Sequence, residues 1–244
     1  VTRTAFALAL AAGVVGALLT AALGRWQLDR AEQKLQLAAT REKVQQSPAV
    51  TLTASSLPAV VGRLPLRVRA EGEFLFDRTV FLDNRQHEGR PGFWVITPLR
   101  LAEGAVVLVN RGWAARDPLD RARVPAIDRP RGVVQVEGIA QAQVPRLLDL
   151  GAAGPRSLPG VWQNLDLPAF ESASGLRVAA LAIEQHNELP DALLRAWPAI
   201  ESGVERHHGY AVQWFALSAL LSGLTMTFGA RAWLRRASLS KEVT

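Results

Sequence analysis

The chain predicts an integral membrane protein in which two transmembrane helices flank one α+β domain dominated by an antiparallel sheet or small barrel. Three observations predict it. Thr4–Gly24 is a charge-free apolar run of 21 residues bounded by Arg3 and Arg25. Gly209–Ala230 is a second, of 22 residues, bounded by His207–His208 and Arg231. Between them the hydrophobic period changes from helical to alternating. At about 1.5 Å rise per residue, either run can cross about 30 Å of hydrocarbon as a single helix.

The elements follow in order. Thr4–Gly24 is the first transmembrane helix; it exceeds the apolar core of about 7–15 residues usual in a secretory signal, so it reads as an uncleaved anchor, with a signal cleaved at the small-x-small site Ala22-Leu23-Gly24 as the alternative. Trp26–Gln46 has no Pro or Gly and is rich in strong helix formers, so the helix continues as a membrane-proximal segment until Ser47–Pro48. The central domain, residues 25–208, then turns to strands. Leu66–Phe76 alternates apolar and polar residues, and Thr79–Asn84, Phe93–Leu99, Ala105–Trp113 and Val133–Ile139 are β-branched or apolar runs separated by turn formers. Val161–Leu165 and Val178–Glu184 offer two more. Leu167–Ser174, opened by Asp166 and followed by Gly175, reads as a short helix. Arg116–Gly132 and Gln141–Pro159 read as irregular. Gly209–Ala230 is the second transmembrane helix and residues 231–244 are a tail.

The formal net charge is +6. The terminal pieces hold Arg3, Arg231, Arg235, Arg236 and Lys241 against Glu242, and only the remaining +2 is spread over the central domain. Positive charge in short flanks marks the cytoplasmic side, whereas long loops cross largely regardless of charge. Both termini are therefore expected in the cytoplasm and the domain in the periplasm. A domain so close to neutral lacks the basic stripe a nucleic-acid partner needs.

The chain has no Cys, which removes disulfides, Cys-ligated zinc, iron–sulfur clusters and thioether-linked haem. It carries no nucleophile-elbow, P-loop, dinucleotide or H-E-x-x-H pattern. A hydrolase would have to be assembled from scattered residues such as Asp83, His87 and a Ser, so no catalytic residue is assigned and the protein is not expected to be an enzyme. The distinctive residues fall instead into four blocks: Gly24-Arg25-Trp26-Gln27-Leu28-Asp29-Arg30, Pro91-Gly92-Phe93-Trp94-Val95-Ile96-Thr97-Pro98-Leu99, Val109-Asn110-Arg111-Gly112-Trp113, and His207-His208-Gly209-Tyr210-Ala211-Val212-Gln213-Trp214-Phe215.

Each block has a physical reading. Trp26 and Trp214 suit the membrane interface, where amphipathic rings are enriched. Arg25 and Arg30 suit snorkelling there, or pairing with a carboxylate. Arg85 and Arg111 suit either bracing of loops through carbonyl oxygens or contact with a partner, as Arg's planar fork allows both. Trp94 and Trp113 read more as core than as docking surface. Pro91 and Pro98 read as the bounds of a strand. His207, Tyr210 and Trp214 stand at i, i+3 and i+7, on one helical face. That face is either an interfacial belt or a site where a His ligates haem iron beside aromatic rings.

The four blocks, in this order and inside this two-span layout, resemble the Surfeit locus protein 1 family, the cytochrome c oxidase assembly factors, from Trp26 to Phe215. The resemblance implies assistance in building a haem-copper oxidase by handling haem a for insertion into its catalytic subunit. A protein-only membrane chaperone for the nascent subunit is the alternative. It also implies a multi-pass place in the bacterial inner membrane, with the catalytic subunit, membrane lipid and haem a synthesis enzymes as partners. His207 falls at the family's His three before the Tyr and becomes the expected iron ligand, with His208 beside it. Tyr210 and Trp214 would shape the pocket, Arg25 or Arg30 would neutralise propionates, and Arg85, Arg111 and Trp113 become partner-binding candidates. Glu205 stands where the family commonly has Asn, and Ala114–Ala115 where Val-Pro often follows the Trp.

Overall fold

A computed structural model describes residues 2–120, 123–148, 157–197 and 203–241. The chain divides into two compact units, Val1–Arg41 with Ala199–Thr244, and Glu42–Pro198.

The first unit is a pair of long helices. Helix α1 is a single 44-residue helix, Arg3–Gln46, and the C-terminal helix runs from Val204 to Lys241. Both are long and apolar enough to cross a membrane, with mean hydropathies of 2.3 and 1.4 over their most apolar stretches. The expected continuation of the first helix through Trp26–Gln46 is present, because no residue in that stretch breaks it. The expected tail at 231–244 is helical through Lys241; residues 242–244 lie outside the described residues. Small residues let the two helices approach closely. A Cβ on Gly24 would lie 2.9 Å from the Phe215 ring, and one on Gly13 would collide with Thr225. The Ser218 hydroxyl donates to the Ala17 carbonyl at 2.8 Å.

The second unit is built on one sheet of eight strands: β1 (Val50–Leu52), β2 (Leu66–Phe74), β3 (Val80–His87), β4 (Arg90–Leu101), β5 (Val106–Ala115), β6 (Val133–Gln141), β7 (Gly160–Trp162) and β8 (Ala182–Gln185). The sheet order is β1-β2-β6-β8-β5-β4-β3-β7. A further antiparallel pairing of β2 with β4, from Gly72↔Leu101 to Phe74↔Leu99, joins the sheet back on itself. Strands β2, β6, β8, β5 and β4 thus form a closed five-stranded barrel, which removes their free edges.

Alternation along β2, buried at Val68, Ala70, Gly72 and Phe74 and polar between, sends one residue in two to the interior. That interior is one cluster of Val68, Ala70, Leu99, Val107, Val109, Val136 and Ile183 with their neighbours. Short helix α2 (Leu57–Val61) adds Leu57 and Val60 to it. Helix α3 (Leu167–Ser174) packs Phe170 with Val80, Leu82, Ile96, Leu108 and Trp162 in a second cluster. Helix α3 has the predicted bounds. The Asp166 side chain accepts from the Ala169 amide at 3.0 Å, and Gly175 closes the helix at φ 70°.

Two expectations are corrected. Pro91 and Pro98 do not bound a strand, since β4 runs through both. Pairing with β3 ends at Ile96 and pairing with β2 starts at Leu99. Pro98 sits at this changeover, where its missing amide donor leaves no ladder position empty. The strand expected over Val178–Glu184 begins only at Ala182. The predicted irregular stretches contain no helix or strand among their described residues apart from Gln141, the last residue of β6; 121–122 and 149–156 lie outside them.

Candidate functional site

The C-terminal helix, α4 (Val204–Lys241), carries the predicted ligand in its first turn. His207, Ala211, Trp214 and Ser218 recur at i, i+4, i+7 and i+11, which is one face of a helix. On that face Ala211 is buried, His207 and Trp214 are partly buried, and Ser218 bonds α1. Tyr210 lies at its flank and is 51% exposed. Of the expected His207, Tyr210 and Trp214 face, His207 and Trp214 are turned toward α1 and Tyr210 is not.

His207 is held from α1. Its Nδ1 lies 2.7 Å from Oε1 of Gln27. With that oxygen as acceptor, Nδ1 carries the proton and the lone pair is on Nε2. This is the arrangement by which proteins orient a metal-ligating imidazole, one nitrogen anchored and the other offered. Lys34, Arg206 and Arg30 are the cations whose charges act most on the ring, with His208 after them. Arg25 is not in that set. Arg30 also donates to Gln33 at 3.1 Å and stands 5.6 Å from the Trp26 ring. Gln27, Lys34 and Arg206 were not singled out by sequence. Gln27 lies within the first motif block, one residue beyond Trp26, and that adjacency was the available signal.

In the domain, Arg85, Arg111 and Trp113 are all buried. Asn84 adopts φ 59°, a left-handed conformation that Asn tolerates. The β3–β4 register shifts between Leu82 and Arg85. Arg85 donates from Nη2 to the Gln163 carbonyl at 3.1 Å and stacks 4.8 Å from the Trp94 ring. Burial lowers its pKa to about 10, so it stays charged at neutral pH. Trp113 Nε1 donates to the Arg85 carbonyl at 2.8 Å and ties the two Asn-Arg strands together. Gly92 lies under Trp113, where a Cβ would collide with the ring.

Arg111 donates from Nη2 to Asp191 Oδ2 at 2.9 Å and to the Asp128 carbonyl at 3.1 Å. Burial lowers its pKa while Asp191 opposes that shift. Of the two readings open for these arginines, bracing of loops through carbonyl oxygens is the one their contacts display. A partner meeting Arg85, Arg111 or Trp113 directly would have to enter the domain. No group of three or more His, Asp or Glu capable of holding a bare metal ion occurs among the described residues.

Comparison with known proteins adds an independent finding. A family model described as "SURF1 family" matches residues 14–219. A "SURF1-like protein" of Rickettsia bellii (strain RML369-C) is 27% identical over 206 residues, covering 82% of this chain and 81% of the relative. A "SURF1-like protein" of Dictyostelium discoideum is 26% identical over 237 residues, covering 82% of this chain and 88% of the relative. A "Surfeit locus protein 1" of Arabidopsis thaliana is 25% identical over 258 residues, covering 84% and 73%.

Proposed function

The chain belongs to the SURF1 family, and on that premise we propose that it is a membrane-anchored assembly factor for a haem-copper cytochrome c oxidase, holding haem a for insertion into the catalytic subunit. The observation that carries this reading is the His207–Gln27 contact of 2.7 Å. It anchors the imidazole through Nδ1 and supports Nε2 as the atom available to iron.

The residues present fit the group. Haem a, if bound there, would supply an iron open to a nitrogen ligand and a pair of propionate carboxylates. His207 would supply that nitrogen, with Gln27 holding its tautomer and orientation. Arg30 and Arg206, both exposed, supply charge for propionates. Tyr210 and Trp214 give the ring an apolar flank. Arg25 takes the interfacial role instead. In this reading these groups bind and orient the haem, so the role is one of holding and timing.

The charge pattern supports an orientation with both termini cytoplasmic and the domain on the other side, the periplasm if the membrane is a bacterial inner membrane. Such an orientation sets the His207 end of α4 on the domain side of the membrane.

The test is an absorption spectrum of detergent-purified protein co-expressed with haem a synthesis, wild type beside His207→Ala and His208→Ala. A haem a spectrum that collapses in His207→Ala and survives in His208→Ala is expected. No haem in the wild type would overturn the haem-holding role and leave a protein-only chaperone for the nascent subunit. Loss confined to His208→Ala would move the ligand by one residue.

A further inference from the structure

The barrel domain contains a cavity of about 330 Å³ lined by Phe76, Phe81, Val124, Ile127, Arg111 and Arg129, among others. Its volume is at the lower end of the range for small-molecule sites. Its walls are apolar, yet two guanidinium groups line it. Of its lining residues only Arg111 entered the family reading, as a partner-binding candidate, and the inference does not depend on haem.

The charges around it do not balance. Arg111 and Arg195 share a single carboxylate, Asp191, at 2.9 and 2.7 Å. The three side chains are 1%, 3% and 0% exposed, so the cluster carries a buried excess of one positive charge. Glu188 also meets Arg195 at 2.9 Å, but it is 82% exposed and solvent screens it. Arg129 adds a further positive charge on the cavity, and its own carboxylate contact, to exposed Asp77, is 3.9 Å long. Arg129 also repels the charge on Arg111. The buried Nε of Arg111 has no hydrogen-bond partner. The Phe74 and Phe76 rings lie 4.9 and 5.1 Å from the Arg111 guanidinium and offset part of this charge; an excess buried cation remains costly, and one anion in the cavity offsets it.

We propose that this cavity is a binding site for a small carboxylate carrying an apolar group, with its carboxylate placed between Arg111 and Arg129 and its apolar part against Phe76, Phe81 and Ile127. Arg's planar fork matches a carboxylate. The phenyl rings of Phe76 and Phe81 favour an aryl or branched-alkyl tail over a bare inorganic anion.

The test titrates sodium benzoate into the whole 244-residue chain in detergent by isothermal calorimetry, with benzamide as the neutral isostere. Three proteins are compared: wild type, Arg129→Gln, and Val124→Asp, which puts a carboxylate on the cavity wall. Both substitutions are at solvent-accessible positions, and an unchanged circular dichroism spectrum checks that each variant folds. Saturable benzoate binding at least about tenfold tighter than benzamide is expected. Arg129→Gln should weaken it roughly fivefold, and Val124→Asp should abolish it by repelling the probe's charge. Equal binding of benzamide, undiminished binding by Arg129→Gln, or no saturable heat in the wild type would each overturn the site. Heat from benzoate partitioning into micelles is the same for all three proteins and so cannot imitate the expected pattern.

Discussion

At the scale of single residues, the domain depends on a few buried charges whose geometry is tightly determined. Asp191 is the clearest. It receives Arg195 on both oxygens at 2.7 Å and Arg111 at 2.9 Å. Replacing a buried pair by apolar groups can be neutral, but removing one partner leaves the others charged and unpaired. Asp191→Asn keeps the volume and removes the charge, which strands two guanidinium groups of like sign. We expect a loss of about 3–5 kcal/mol, read as a fall in the denaturation midpoint. Arg129→Gln, at an exposed position, should change stability by less than about 1 kcal/mol. Similar losses from the two variants would show that the cluster is solvated rather than buried. Sequence could point to Arg111 through its place between Asn110 and Gly112. Asp191 and Arg195 were not visible, because they come from a stretch without period or motif, and burial alone makes them matter.

At the scale of elements, what could be read in advance depended on local pattern. Strands β2 to β6 were legible because alternation or β-branched runs persist over several residues, and α3 because Asp166 and Gly175 mark both its ends. Strand β1 and helix α2 were not, as three and five residues are too few to establish a period. The closure of the barrel was expected only as one of two outcomes. It rests on β2 pairing with both β6 and β4, and on β8 entering between β5 and β6, parallel to the first and antiparallel to the second. Such long-range registers leave no periodic trace. They do leave glycines. A Cβ on Gly138 would collide with the Glu184 carbonyl, and one on Gly72 with the Arg100 carbonyl. In both cases the obstacle is backbone across a strand pair, which cannot rotate aside. Gly138→Ala should therefore cost about 2–3 kcal/mol or more. Gly104→Ala, in the turn between β4 and β5, meets no atom within 4 Å and should cost only its positive-φ penalty of about 1 kcal/mol. Thermal midpoints of the two variants decide it, and an equal loss would remove the argument for close strand approach at β6–β8.

At the scale of the whole molecule, the first and last segments of the sequence combine into one unit, and the proposed site exists only because they do. His207 and Gln27 are 180 positions apart, and neither helix alone holds the imidazole. This explains why His207 was legible and its hydrogen-bond partner was not. A motif names a residue on one helix, whereas the orienting hydrogen bond belongs to a pair. The pairing has its own determinant in small residues, since a lipid-facing helix gains nothing from apolarity and associates through close packing. Gly24 is the test position, because the Phe215 ring already lies 2.9 Å from where its Cβ would stand. Gly24→Leu should force α1 and α4 apart one turn from Gln27, break the contact to His207 and lower haem a content severalfold, while the barrel's circular dichroism is unchanged. Gly223→Leu is the matched control: it adds the same side chain to an apolar stretch of α4 at a position with no atom within 4 Å. It should leave haem a content at the wild-type level. If Gly24→Leu retained haem as well as Gly223→Leu, the site would not depend on the helix pair, and His207 would have to find its orientation from a partner protein instead.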